Sequence, residues 1–156
     1  MTNRIKRIYV DTSVVGGVFD AEFKRQTKPL WDAVRNGKII VIVSDVLESE
    51  IDRSPKHVQD FLNELPKSHI EIVRQTEEAR SLAAQYITDG VVGRTSFDDC
   101  LHIALATIAR ADVLVSWNFK HIVNIRRIRG YNGVNMKLDY PQIEIRTPYE
   151  VINDET

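Results

Sequence analysis

The stretch that most constrains this chain is Ile39-Ile40-Val41-Ile42-Val43, an unbroken β-branched run behind Lys38. A strand with one wet face alternates apolar and polar residues. A continuous run instead predicts a strand covered on both faces, as in a parallel sheet between helical layers. Shorter apolar runs at residues 5–10, 69–73, 112–116 and 143–145 predict companion strands. Helical signals separate them. Residues 29–35 have Leu30, Trp31 and Val34 at helical spacing and Asn36-Gly37 as a stop. Ser44 or Asp45 caps a helix over 46–51, and Ser54-Pro55 opens another with Val58, Phe61, Leu62 and Leu65 on one face. Thr76 caps a helix over 77–87. After the break at 90–93, Thr95 or Ser96 opens a long helix reaching Ala111, and residues 121–128 read as a basic amphipathic helix. Strands alternating with helices predict a three-layer α/β/α fold, a mostly parallel central sheet with helices on both faces. Without repeats, low-complexity tracts or a dividing linker, residues 1–156 are expected to form one domain.

Composition narrows the function classes. The chain of 156 residues has no run near the roughly 20 apolar residues that span a bilayer. Its basic start runs straight into the first strand without an apolar signal core, and its single cysteine, Cys100, forms neither an internal disulfide nor a thiolate metal site. A cytoplasmic protein is expected. A formal net charge of −1 is unlike proteins that coat nucleic acid by neutralising phosphates, so any work on nucleic acid must be local, at a site supplying its own cation.

Such a site is legible at the strand ends. In open α/β sheets, ligands bind in the crevice beyond the C-terminal ends of the strands. Asp11 follows the first strand, Ser44-Asp45 and Glu50 follow the second, and Ser116-Trp117-Asn118 follow the strand at 112–116, while Asp98 and Asp99 open the helix before it. Carboxylates sharing a cleft repel one another unless a cation intervenes, and oxygen-only ligands favour hard ions, Mg2+ or Mn2+. Such an ion activates water for in-line displacement at phosphorus, so phosphodiester hydrolysis is the expected chemistry. Asp98 and Asp99 point about 100° apart, so only one is expected to share the cleft.

These residues resemble the PIN-domain family, and in particular its VapC-type toxin ribonucleases of toxin–antitoxin pairs. Tyr9-Val-Asp-Thr-Ser13 is similar to the family's opening motif, which implies Asp11 as a metal ligand supported by Ser13. Ser44 to Ile51 resembles the second motif and singles out Glu50 over Glu48. Phe97 to Ala106 resembles the third and singles out Asp99 over Asp98. Leu114 to His121 resembles the fourth, with Ser116 as its hydroxyl, but Asn118 stands where the family often has aspartate. An amide offers a carbonyl oxygen without charge, so a second ion would be held weakly or not at all. The resemblance implies a metal-dependent endoribonuclease acting on RNA, held in check by a small antitoxin and often homodimeric. The alternative that Asn118 raises is a catalytically weakened module acting by protein or RNA binding. Lys120, Arg126 and Arg127, in a basic cluster with His121 and Arg129, are candidate RNA contacts. The stripe Val58, Phe61, Leu62 and Leu65 reads as core by its spacing, and by the resemblance as lining an antitoxin groove.

Overall fold

The computed structural model describes residues 4–153; the first three residues of the basic lead-in lie outside the described part. The strands β1 (Lys6–Val10), β2 (Ile39–Ser44), β3 (Ile70–Val73), β4 (Val113–Val115) and β5 (Ile145–Arg146) form one sheet in the order β3-β2-β1-β4-β5. Every neighbouring pair is parallel.

The apolar runs do what two-sided burial requires. Along β1, Ile8 and Val10 face one layer and Tyr9 the other, all without solvent exposure. The first layer holds α1 (Thr12–Gly16), α2 (Lys24–Arg35), α3 (Asp45–Asp52), α4 (Lys56–Asn63) and α8 (Pro148–Asn153). Its core joins Val41, Val43, Val113 and Val115 to Val14, Leu30, Trp31, Leu47 and Phe61. The second holds α5 (Glu77–Thr88), α6 (Phe97–Ile108) and α7 (Ile125–Lys137), with Ile42, Leu114 and Ile145 against Leu82, Tyr86, Ile103 and Tyr131. The three-layer α/β/α architecture with a parallel central sheet, expected from the strand and helix pattern, is the one observed.

Several boundaries moved. Helix α2 begins at Lys24, five residues before the expected start, and contains Pro29. Its stop is as read: Gly37 takes φ +75°, and the Gly37 and Lys38 amides close back on Val34 and Ala33, a turn that suits glycine. The basic segment is not a helix over 121–128. Asn124 accepts hydrogen bonds from the Arg126 and Arg127 amides and starts α7 at Ile125, so residues 118–123 form turns instead. Val58, Phe61 and Leu65 are buried in the first layer, in agreement with the core reading.

Strand order decides where a site can be. From β1 the chain moves outward to β2 and β3, then crosses back to β4 on the other side of β1. The connections after β1 and β4 therefore diverge, opening a crevice at that switch point.

Candidate active site

Asp11 stands at this crevice, immediately beyond β1 and 5% exposed. An aspartate there commonly caps the following turn, yet its side chain makes no capping bond to α1. Instead Oδ1 accepts from the Ser13 hydroxyl at 2.6 Å and Oδ2 from the Ser116 hydroxyl at 2.6 Å. Ser13 in turn accepts from the Trp117 amide at 2.9 Å, and Ser116 from the Asn118 amide at 2.9 Å. The end of β4 is thereby tied to the end of β1 through one carboxylate. Burial pushes the Asp11 carboxyl above its ordinary range, against the His102 charge and the two serine bonds, and the Asp99 charge adds to the rise. Repulsion among acids, the sequence-based reason to expect such a rise, is the smaller cause.

The other acids flank this floor. Asp11, Thr12, Ser13, Glu50, Asp98, Asp99, His102 and Asn118 line one cleft of about 180 Å³. Glu50 reaches it from α3, whereas Glu48 lines a separate groove beside β3. Glu50 is paired with His102: Nε2 of His102 lies 3.3 Å from its Oε1. Burial alone would raise the Glu50 carboxyl, but the His102 hydrogen bond and charge outweigh it and hold the group below its ordinary value. Thr12 is near enough to assist, although its buried hydroxyl makes no well-formed hydrogen bond.

His102, on α6, is both a core residue and a support for the cleft. It is 3% exposed, with Nδ1 at 2.8 Å from the Tyr9 hydroxyl. Burial drives the Tyr9 pKa far up, so the phenol keeps its proton. The ring bridges Tyr9 at Nδ1 and Glu50 at Nε2, so Tyr9 and His102 together aim the carboxylate.

On the opposite wall, Asp99 accepts from the Asn118 amide nitrogen at 3.3 Å through Oδ1, and its Oδ2 lies 3.1 Å from His121 Nδ1. Asn118 also accepts from the His121 amide at 2.9 Å, so it shapes the turn and contacts the acid at once. Asp98 corrects the expectation that one acid would share the cleft. Both line it, because the first turn of α6 crosses the open mouth and Asp98, exposed, borders the rim. His121 is a second correction: it turns inward to Asp99 instead of joining the basic surface. Arg127 is half-buried, and its guanidinium donates to the Val91 carbonyl. Lys120 and Arg126 are exposed. The sequence signals for the two histidines were their positions, each three residues beyond a motif residue (Asp99 and Asn118).

Asp11, Asp99 and Glu50 supply carboxylate oxygens, and each oxygen of Asp11 retains a free lone pair beside its serine bond. Among the described residues, however, no three His, Cys, Asp or Glu groups stand close enough to hold an ion together as they lie. The donor chemistry therefore fits a hard divalent cation on condition that Asp99 and Glu50 exchange their imidazole partners for it.

No family model and no curated protein matches the chain. Among solved structures it is similar to VapBC2 from Rickettsia felis, bound to a DNA fragment from their promoter. The TM-score is 0.55 at 14% identity, over 90% of this chain and 98% of that one. At that identity the likeness shows the fold.

Proposed function

We propose that this chain is a metal-dependent endoribonuclease, the toxin of a toxin–antitoxin pair. The observation that carries the reading is the convergence of Asp11, Glu50 and Asp99 on one cleft at the switch point of a parallel sheet. Asp11, Asp99 and Glu50 would hold Mg2+ or Mn2+, which when bound supplies water activation and charge stabilisation for displacement at phosphorus. Ser13 and Ser116 fix both oxygens of Asp11, so its geometry is set before substrate arrives. His102, held by Tyr9, orients Glu50. Lys120 and Arg126, exposed at the turn and at the start of α7, would meet RNA phosphates. The likeness to VapBC2 supports a small antitoxin as partner. The groove of about 290 Å³ between α4 and the edge strand β3, lined by Leu62, Leu65, Ile70 and Ile72, offers apolar surface for it. A homodimer belongs to the same reading.

The test is cleavage of RNA with titrated magnesium and manganese. The wild type is expected to cleave in an ion-dependent way and Asp11→Asn to be inert. Ion-independent cleavage, or an Asp11→Asn protein at the wild-type rate, would defeat the reading. A second reading, a catalytically weakened binding module, is favoured by the imidazole pairing of both wall acids and by Asn118 in place of a carboxylate. A wild type inert with both ions but rescued by Asn118→Asp would select it.

A further inference from the structure

The residue after Asn118 has a property the acidic cleft does not use. Phe119 is 51% exposed, although it directly follows a cleft residue. Its ring is backed rather than loose. The Trp117 and Phe23 rings lie at centroid distances of 6.1 Å and 6.4 Å from it. Phe23 and Trp117 are themselves stacked at 4.5 Å with an interplanar angle of 23°.

This backing is rigidly tied to the site. The Trp117 indole donates to Thr27 at 2.8 Å. Its backbone amide donates to Ser13, which holds Asp11. Gly17 leaves room for the indole: a Cβ there would lie 2.9 Å from Thr27 Oγ1 and 3.1 Å from the Trp117 ring. Beside the rings, Lys24 and Arg25 follow Phe23 and Lys120 follows Phe119. All three are exposed and make no salt bridge among the described residues.

We propose that Phe119, backed by Phe23 and Trp117, is a stacking platform for an unpaired base of the RNA strand next to the phosphate held in the cleft. Lys24 and Lys120 meet the flanking backbone. An exposed aromatic face beside unpaired cations is the combination that binds single strands with little sequence preference, because every base has a π-face and duplexed bases do not offer theirs. An apolar protein segment would also cover an exposed ring, but it has no use for a platform held through Ser13 to the carboxylate of the cleft. The inference rests on the ribonuclease reading and adds Phe119 to the residues that would hold the strand.

The experiment measures binding of a short fluorescent single-stranded oligoribonucleotide, and of the same sequence as a blunt duplex, with calcium in place of magnesium. Manganese-dependent cleavage kinetics run alongside. Phe119→Ala is expected to weaken single-strand binding about tenfold or more and to act mainly on KM. Phe119→Trp should restore binding. Phe119→Leu, which keeps apolar bulk without a π-face, should stay weak, and the duplex should be bound poorly by every protein. The thermal transition of each variant, which should be unchanged at so exposed a site, controls for folding. Single-strand binding by Phe119→Ala or Phe119→Leu equal to wild type overturns the platform and assigns the ring to a protein contact, while ion-dependent cleavage keeps the ribonuclease reading standing. A wild type that neither binds nor cleaves RNA overturns both.

Discussion

The floor and the walls of the cleft hold their carboxylates in opposite ways. Asp11, on the floor, is held by two neutral hydroxyls, and its burial outweighs them and leaves it above its ordinary pKa. Glu50 and Asp99, on the walls, are about a third exposed, at 30% and 27%, and each meets an imidazole. Hydroxyls orient a charge without cancelling it, whereas an imidazole can do both. The floor is thus a fixed site with an uncancelled charge, and the walls can change partners. The difference locates the cost of function at Asp11, because an uncompensated buried carboxylate destabilises the fold that carries it.

The largest expected effect breaks the floor. Asp11→Asn should reduce RNA cleavage by at least about 10³-fold, the several kcal/mol that metal-assisted charge stabilisation supplies. The same variant should melt higher at neutral pH. The folded-state pKa of Asp11 is raised, so its favourable contribution is present below the unfolded value and lost as pH rises through the folded one. The gain in Tm should therefore shrink toward about pH 4, where the unfolded carboxyl is itself half-protonated. Paired melting curves across pH check this; a variant less stable than wild type at neutral pH would contradict the account.

Next comes the tie between strands. Ser116→Ala removes the bond to Asp11 Oδ2 and strips the Asn118 amide of its acceptor. Cleavage should fall roughly 10–100-fold, as when a ligand's supporting partner is lost. Denaturant unfolding should show a loss of about 1–3 kcal/mol. Wild-type kinetics in this variant would mean that Asp11 needs no fixing.

A wall is tested by His102→Leu, with an expected drop of about tenfold in cleavage for the same reason. The sharper readout is titration. Glu50 sits below its ordinary value because of His102, so its stabilising contribution is present above the unfolded pKa and lost as pH falls through the folded one. In the variant, Glu50 should titrate at higher pH by carboxyl NMR and that acid-side loss should disappear. An unmoved Glu50 would show that His102 does not govern it.

The smallest effect is expected at the other wall. Asn118→Asp exchanges a donor to Asp99 for a like charge, lowering stability without metal by about 1 kcal/mol or less at a partly solvated site. Manganese should restore the lost Tm. Destabilisation that manganese leaves untouched would place residue 118 outside any ion's reach.

The layered parallel sheet was legible in the chain itself, because burial on both faces leaves a local mark: unbroken apolar runs such as 39–43, set between helices with their own caps and stops. The acids at strand ends were legible for the same reason, since a strand's end can be read without knowing its neighbours. Pairings were not. Ser116 reaches Asp11 across a separation of 105 residues, and only the adjacency of β1 and β4 makes that possible. The inward turn of His121, the capture of Arg127 by Val91 and the shared rim of Asp98 likewise depend on how the turn at 118–123 and the first turn of α6 pack over the sheet. Periodicity reports which face of an element is buried. It carries no information about which distant element covers it, and the partners that set the charge of each carboxylate are chosen there.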